Sequence, residues 1–141
     1  MLKGIPPIFS PEMLKVLMEM GHGDELVIAD GNFPAAANAR RLLRCDGHSV
    51  PALLDAILQF FPLDTYVEKP VTLMATVPGD SYRPTIWPEY AEIVRRRERA
   101  VEFEWIDRVS FYQRTREAYA VVATAEKALY ANMILKKGVL A

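Results

Sequence analysis

Gly21-His22-Gly23 is the segment whose residue types best suit proton transfer near neutral pH. Histidine is the side chain that ordinarily changes its charge in that range. The two flanking glycines allow the backbone to approach a bound molecule closely. The segment is not a phosphate-binding loop, because it follows a predicted helix rather than a strand. His22 taken alone also fits an ordinary histidine at a helix end, which is the simpler interpretation.

Asp30 is a second candidate, because it follows the apolar run Leu26-Val27-Ile28-Ala29, which is typical of a buried strand. In open α/β sheets, ligands bind beyond the carboxyl ends of the strands. Asp30 is therefore a candidate for contact with a ligand. Aspartate is also a common turn residue, so stabilisation of a turn with Gly31 explains its presence equally well.

Arg108, Tyr130 and Asn132 lie near the ends of other predicted strands. Arginine offers a fork of donors, tyrosine a hydroxyl group, and asparagine both a donor and an acceptor. This combination suits a ligand with many hydroxyl groups, such as a sugar. Two alternatives stay open, because Asn132 could serve a turn and Tyr130 could belong to the core.

The composition excludes several classes of function. The 141 residues include one cysteine, Cys45, and two histidines, which excludes an internal disulfide and a cysteine-rich or three-histidine metal site. The formal net charge of -1 lacks the basic surplus typical of duplex-binding proteins. The run Arg95-Arg96-Arg97-Glu98-Arg99 is interspersed with and flanked by glutamates, which is typical of a solvated helix face. We therefore expect no metal, no cofactor and no nucleic-acid partner.

Neither a secretory signal nor a membrane segment is predicted. Residues 1–7 lack the charged and then apolar run of a signal peptide. No uncharged apolar stretch approaches the roughly 20 residues that a membrane helix needs. We therefore expect a cytoplasmic protein with no membrane partner.

The elements that must position these side chains alternate between helices and short apolar strands. Helices are predicted over residues 11–20, 51–60, 88–100 and 107–118, with a helical turn at 35–38. Strands are predicted over residues 25–30, 41–45, 71–77, 101–106, 119–124 and 132–135. Ser10 and Asp107 are predicted helix caps, and Gly21 is expected to end the first helix in a left-handed conformation. The alternation predicts one α/β domain over residues 1–141, an αβα layered fold with a largely parallel central sheet.

Several of these segments together resemble the ribose pyranase and L-fucose mutarotase family (the RbsD/FucU family) over nearly the whole chain. The Gly-His-Gly-Asp and Tyr-Ala-Asn blocks are specific in combination. The segments that carry the resemblance are Ser10-Pro11-Glu12, Met20-Gly21-His22-Gly23-Asp24-Glu25, Asp30 with Phe33-Pro34, Arg108 with Phe111-Tyr112, Tyr130-Ala131-Asn132 and Ile134-Leu135-Lys136-Lys137-Gly138. The Phe33-Pro34 loop and Arg108 are similar to the fucose mutarotases within the family.

The resemblance implies a role for each matching residue. His22 would be the catalytic acid and base. The sugar contacts would come from Asp30, Arg108, Tyr130, Ala131 and Asn132. Family members need no cofactor and assemble into rings, commonly decamers, with sites near subunit contacts. The chain departs from the family pattern at Asn32 and Ala125, and Asn32 bears on the choice of sugar.

The expected function is therefore interconversion of the α and β anomers of a reducing monosaccharide, most closely L-fucose. This isomerase reaction opens and closes a cyclic hemiacetal by proton transfer alone, which suits a chain with so few groups that titrate near neutrality. One alternative is the pyranase reaction, which interconverts pyranose and furanose ribose. Another is a non-catalytic sugar-binding accessory of a transport operon, which would not need an ionisable His22.

Overall fold

A computed structural model describes all 141 residues, which form five helices and six strands. The helices are α1 (Pro11–Glu19), α2 (Ala35–Asn38), α3 (Val50–Ile57), α4 (Ile86–Arg97) and α5 (Arg108–Glu117). The strands are β1 (Glu25–Ala29), β2 (Leu42–Cys45), β3 (Val71–Met74), β4 (Phe103–Ile106), β5 (Ala120–Thr124) and β6 (Met133–Lys136). None of the helices has the length and apolar character needed to span a bilayer.

The six strands form one sheet in the order β2-β5-β1-β6-β3-β4. The pairs β1–β5, β2–β5 and β3–β4 are parallel, whereas β6 runs antiparallel to both of its neighbours, β1 and β3. Five strands therefore point the same way, and the prediction of a largely parallel sheet is confirmed. Because β6 is reversed, its first residues lie at the same edge of the sheet as the last residues of β1 and β3.

Both faces of the sheet are covered, as the alternation of side chains along a strand requires. Leu26 and Ile28 of β1 pack into a cluster of 26 buried residues that includes side chains of α1, α3 and α4. Val27 and Ala29 face the other way, into a cluster of 10 buried residues with side chains of α2 and α5. Helices on the two faces of a central sheet are the αβα layered architecture that the sequence predicts.

The end of β3 differs from the prediction, because the strand ends at Met74 rather than at residue 77. The turn after α1 differs as well. Ser10 and Asp107 cap their helices as expected, each accepting a hydrogen bond from a backbone N–H three residues later. Gly21, however, is not the left-handed residue; Gly23 is, at φ 85°. The N–H of Gly21 instead donates to the Asp24 carboxylate at 2.7 Å. The left-handed residue thus comes two positions later than predicted, while β1 begins at Glu25 as predicted.

Ion pairs between α3 and α4 account for most of the arginine run in α4. Arg96 and Arg97 both donate to the Asp55 carboxylate, at 2.9 and 2.8 Å, and Arg95 pairs with Glu92. The hydrogen bond from Arg97, reinforced by Arg96, lowers the pKa of Asp55 to about 2. These arginines therefore form a helix face whose positive charges are paired with carboxylates, as the glutamates around the run predict.

Candidate active site

A cavity of about 230 Å³ lies at the sheet edge where β1 and β3 end and β6 begins. Its walls combine two carboxylates, two tyrosine hydroxyls and two amides with apolar side chains. The lining residues are Asp30, Asn32, Phe33, Met74, Asp80, Tyr112, Leu129, Tyr130 and Asn132. The cavity thus stands beyond the carboxyl ends of parallel strands, where ligands bind in open α/β sheets.

Asp30 and Asn132 are joined directly, although 102 residues separate them. The Asp30 N–H donates to Asn132 Oδ1 at 2.7 Å, and Asn132 is buried. Burial raises the pKa of Asp30, while hydrogen bonds from the backbone of Asn32 and Phe33 and from Asn132 act in the opposite direction. The Asn32 N–H donates to Asp30 Oδ1 at 3.0 Å, so Asp30 both shapes a turn and lines the cavity.

The Tyr130-Ala131 backbone is held in place by two aromatic side chains of α4. Trp87 Nε1 donates to the Tyr130 carbonyl at 2.8 Å, and the Tyr90 hydroxyl donates to the Ala131 carbonyl at 2.7 Å. Tyr130 has a φ of 57°, which is uncommon for a residue other than glycine. Ala131 is fully buried. The segment is therefore fixed in an unusual conformation by the packing of α4 rather than by its own preference.

The Tyr130 hydroxyl makes two further contacts with the segment between β3 and α4. It donates to Asp80 Oδ2 at 2.5 Å and accepts from the Val77 N–H at 3.3 Å. The hydrogen bond to Asp80 raises the pKa of Tyr130 and lowers the pKa of Asp80, so the proton stays on the tyrosine. Tyr130 is therefore a half-buried cavity residue and not a core residue.

Arg108 begins α5 and is exposed, with no side-chain hydrogen bond or ion pair inside the chain. Its positive charge acts on the Tyr130 hydroxyl, where it opposes the effect of Asp80 on the pKa. Arg108 is thus close to the cavity but does not line it within one copy of the chain.

His22 lies at the opposite edge of the sheet, next to Asp64. Its Nε2 is 3.1 Å from Asp64 Oδ1, and the same oxygen accepts from the Tyr66 N–H at 3.0 Å. Burial raises the pKa of Asp64, but the hydrogen bonds from Tyr66 and His22 outweigh it and keep that pKa low. The His22 side chain is 45% exposed and that of Asp64 is 4% exposed, so a buried carboxylate orients a ring that remains open to solvent.

Gly138 brings the two chain segments of this pair together. Its N–H donates to the Pro62 carbonyl at 2.7 Å. A Cβ at this position would lie 2.6 Å from the Leu63 carbonyl oxygen and 2.9 Å from Asp64 Cα. Only a residue without a side chain allows this approach. The approach places the Asp64 carboxylate next to the His22 ring.

Within one chain, His22 is far from the cavity. It precedes β1, whereas Asp30 follows it, and five residues of extended strand separate the two ends by roughly 17 Å. Gly23 likewise bonds to Lys137 beyond the end of β6, whereas Asn132 precedes the start of that strand. The structure therefore brings Asp30, Tyr130, Ala131 and Asn132 together and leaves His22 at the other edge.

Two of the cavities that are larger than this one lack its convergence of polar groups. One, of about 590 Å³, has a mainly apolar wall that includes Tyr82, Trp87, Phe103 and Trp105. The other, of about 600 Å³, surrounds Arg114 and its partners Glu25 and Glu104, so its main charges are already paired. The smaller cavity is the better candidate for a polyhydroxylated ligand, because its carboxylates, hydroxyls and amides face one space.

Fold and cavity together define an αβα protein with a small-molecule site at the edge of its sheet. Residues 3–140 match the model of the RbsD / FucU transport protein family, and the chain belongs to this family. It is 49% identical to a human fucose mutarotase over 146 residues, covering 99% of this chain and 95% of that protein. The resemblance seen in the sequence is thereby confirmed.

Solved structures agree with this assignment. A fucose mutarotase from Streptococcus pneumoniae in complex with L-fucose is 48% identical, with a TM-score of 0.94 over 99% of this chain and 100% of that chain. FucU from Bifidobacterium longum is 51% identical, with a TM-score of 0.95 over the same shares. The fold prediction is confirmed along nearly the whole chain.

Asp64 and Asp80 are the two carboxylates that sequence reasoning missed. Asp64 follows Phe61-Pro62-Leu63 and Asp80 follows Pro78-Gly79, so each comes directly after a helix or strand stop. An aspartate at such a position can stabilise a turn or serve a functional site, and its place in the sequence does not distinguish the two. Their partners, His22 and Tyr130, are 42 and 50 residues away, and no local pattern indicates such pairs.

Proposed function

We propose that this protein is a fucose mutarotase, an isomerase that interconverts the α and β anomers of L-fucose. The observation that carries the proposal is the 48% identity, over 99% of the chain, with the enzyme whose structure contains L-fucose. The mixed lining of the cavity supports it. Its carboxylate, amide and hydroxyl groups suit sugar hydroxyls, while Phe33, Met74 and Leu129 suit the methyl group of a 6-deoxy sugar.

The reaction needs two proton movements and no change of oxidation state. A proton leaves the anomeric hydroxyl and another reaches the ring oxygen, so the ring opens to an aldehyde. Rotation of the aldehyde and reclosure by the reverse transfers give the other anomer. Positioned proton transfer of this kind typically accelerates a reaction by about 10²- to 10⁴-fold.

Asp30, Arg108, Tyr130, Ala131 and Asn132 are the proposed sugar contacts. The Asp30 backbone N–H fixes the amide of Asn132, and the Asn32 N–H fixes the carboxylate of Asp30, so neither side chain has to be ordered when the sugar binds. Arg108 supplies an unpaired cation near the cavity, which suits an oxygen that gains negative charge during ring opening. Ala131 would contribute through its backbone, since its side chain is buried.

His22 is the proposed acid and base, and it would come from a neighbouring copy of the chain. A general acid must lie about 3 Å from the atom it protonates, which the roughly 17 Å length of β1 forbids within one copy. A contact between the His22 edge of one copy and the Asp30 edge of the next joins two different surfaces. Such contacts form a ring when the rotation between neighbouring copies closes. We propose a closed homo-oligomer of this kind, with a decamer as its size.

Magnetisation exchange between the anomeric proton signals of L-fucose tests the proposal directly. We expect the protein to accelerate exchange for L-fucose more than for D-galactose or D-ribose, because D-galactose has the mirror-image ring configuration and a CH2OH group where L-fucose has its methyl group, and D-ribose has no such group. His22→Ala should remove most of the acceleration. No acceleration with any of the three sugars would refute an enzymatic function, and faster pyranose–furanose exchange of ribose would favour the pyranase reaction.

A further inference from the structure

Tyr130 has a hydroxyl group whose hydrogen-bonding capacity is almost fully used inside the chain. A hydroxyl offers one hydrogen to donate and two lone pairs to accept. The hydrogen is given to Asp80 Oδ2 at 2.5 Å, and one lone pair accepts the Val77 N–H at 3.3 Å. The single remaining lone pair can accept a hydrogen bond from a ligand. Towards a sugar, Tyr130 is therefore an acceptor and not a donor.

Asp80 is held firmly enough to fix this arrangement. It lies in the segment between β3 and α4, directly after Gly79, which has a φ of 87°. Its second oxygen, Oδ1, accepts the Tyr82 N–H at 2.9 Å. The Tyr82 ring in turn stacks on Tyr130, with ring centres 6.3 Å apart and planes inclined by 23°. Both oxygens of Asp80 are thus engaged, and the tyrosine hydroxyl has one defined direction.

We propose that Asp80 is a positioning residue and proton acceptor behind Tyr130, so that Asp80 and Tyr130 together remove the second proton of the anomerisation. This inference rests on the proposed function and adds to it the group that takes the anomeric proton. As the sugar O–H bond breaks, its proton moves to the Tyr130 oxygen, and the proton of Tyr130 moves to Asp80 Oδ2. The C–O bond to the ring oxygen breaks at the same time, and protonated His22 gives its proton to that oxygen.

The charges and protons balance through the cycle. Ring opening leaves a neutral aldehyde, a neutral His22, a neutral Tyr130 and a protonated Asp80. Ring closure on the other face of the aldehyde returns the proton of Asp80 through Tyr130 to the anomeric oxygen, and His22 recovers its proton from the ring hydroxyl. No oxidant, reductant or further reactant takes part. The raised pKa of Tyr130 fits a relay in which no free phenolate forms. The lowered pKa of Asp80 opposes uptake of the proton and favours its return to Tyr130 on ring closure.

A purely structural role for Asp80 makes a different prediction, and Asp80→Asn separates the two. The single amide oxygen of asparagine can still accept from the Tyr82 N–H, which keeps the loop contact. The amide nitrogen then takes the place of Oδ2 and donates to the Tyr130 hydroxyl. The amide cannot take up a proton. If Asp80 only holds the loop, the variant keeps its kcat. If Asp80 accepts the proton, kcat for L-fucose falls by about 10²-fold, with KM within about threefold of the wild type.

The experiment compares Asp80→Asn, Tyr130→Phe and the double variant by anomeric magnetisation exchange, with the exposed Asp46→Asn as the matched control. We expect both single variants to lose kcat alike, the double variant to lie within about threefold of either, and the control to be unchanged. A wild-type kcat for Asp80→Asn, or a further large loss in the double variant, would overturn the proposal. An inactive wild type would instead refute the proposed function.

Ultraviolet difference titration of tyrosine gives a second measurement that does not depend on catalysis. Subtraction of the Tyr130→Phe curve isolates the ionisation of Tyr130. In Asp80→Asn the pKa of Tyr130 should fall relative to the wild type, because its hydrogen bond to Asp80 is the largest cause of the upward shift. An unchanged titration would show that the two side chains are not in contact, and the proposal would fail even if catalysis were altered.

Discussion

The separation of His22 from Asp30 predicts that two inactive variants restore each other's activity when they assemble together. His22→Ala keeps the cavity intact and removes the acid at the other edge. Asp30→Asn keeps the turn contact with the Asn32 N–H and removes the carboxylate from the cavity. Each site of a mixed oligomer that takes its cavity from the first variant and its histidine from the second is complete.

The expected recovery follows from the geometry. In an equal and random mixture, half of the cavities belong to His22→Ala copies. Half of the histidines that face them come from Asp30→Asn copies. About one quarter of all sites should therefore be complete, and the mixture should regain about one quarter of the wild-type activity. A site formed inside one chain would give no recovery, because every chain carries one of the two substitutions.

The assay is anomeric exchange of L-fucose, measured on the separate variants and on a mixture that was unfolded and refolded together. Asp30→Asn mixed with Tyr130→Phe is the matched control, because both substitutions lie in the same cavity and no combination of copies completes a site. The shared site would be refuted if the mixture of His22→Ala and Asp30→Asn showed no more activity than the separate variants, while sedimentation showed that the mixture had assembled like the wild type. A monomer that is fully active would refute it as well.

Three further substitutions test the carboxylate behind His22, the glycine next to it, and the ion pair between α3 and α4. Asp64→Asn should lower kcat/KM by roughly 10- to 100-fold in the exchange assay, because the His22 ring loses the carboxylate that orients it; unchanged activity would contradict this. Gly138→Ala should destabilise the fold by about 2 kcal/mol and lower Tm by roughly 6 °C, since its Cβ meets backbone at 2.6 Å, whereas Gly21→Ala, with its nearest neighbour at 3.7 Å, should melt near the wild type. The pKa of Asp55 is lowered to about 2 in the folded state by its arginine partners, so its contribution of about 1 kcal/mol, after allowance for solvent screening, is present above about pH 4 and is lost as the pH falls towards 2. Asp55→Asn should flatten that part of the pH dependence of urea unfolding, and an unchanged slope would contradict the assignment.

Local rules account for the parts of the structure that the sequence predicts well. Ser10 and Asp107 begin their helices because a side-chain oxygen satisfies a free N–H of the first turn. Asp30 lies at the cavity because a polar residue that ends a buried strand stands at the edge of the sheet, whatever the order of the strands. The elements themselves follow from short apolar runs and helical periodicity, and most of their bounds agree with the structure within three residues.

Contacts between distant segments account for what the sequence does not predict. The pairing of His22 with Asp64 depends on the approach of Gly138 to Leu63, which no spacing along the chain encodes. The reversal of β6 and its insertion between β1 and β3 are likewise decided by the sheet as a whole. The separation of His22 from the cavity follows from this topology. A residue inventory alone therefore suggests one compact site, whereas the structure places His22 and the cavity at opposite edges of the sheet.

The two proposed half-sites, His22 with Asp64 and Tyr130 with Asp80, share one chemical arrangement. This arrangement would allow a chain with a single well-placed histidine to move two protons. On one edge, a solvent-exposed His22 has the buried carboxylate of Asp64 behind it at 3.1 Å. On the other edge, the cavity-facing Tyr130 has Asp80 behind it at 2.5 Å. Anomerisation exchanges protons at two oxygens attached to the same carbon, and a sugar held between two copies would present one oxygen to each pair. A second histidine in the cavity would be unnecessary, because the tyrosine–aspartate pair takes its place without having to titrate near neutral pH.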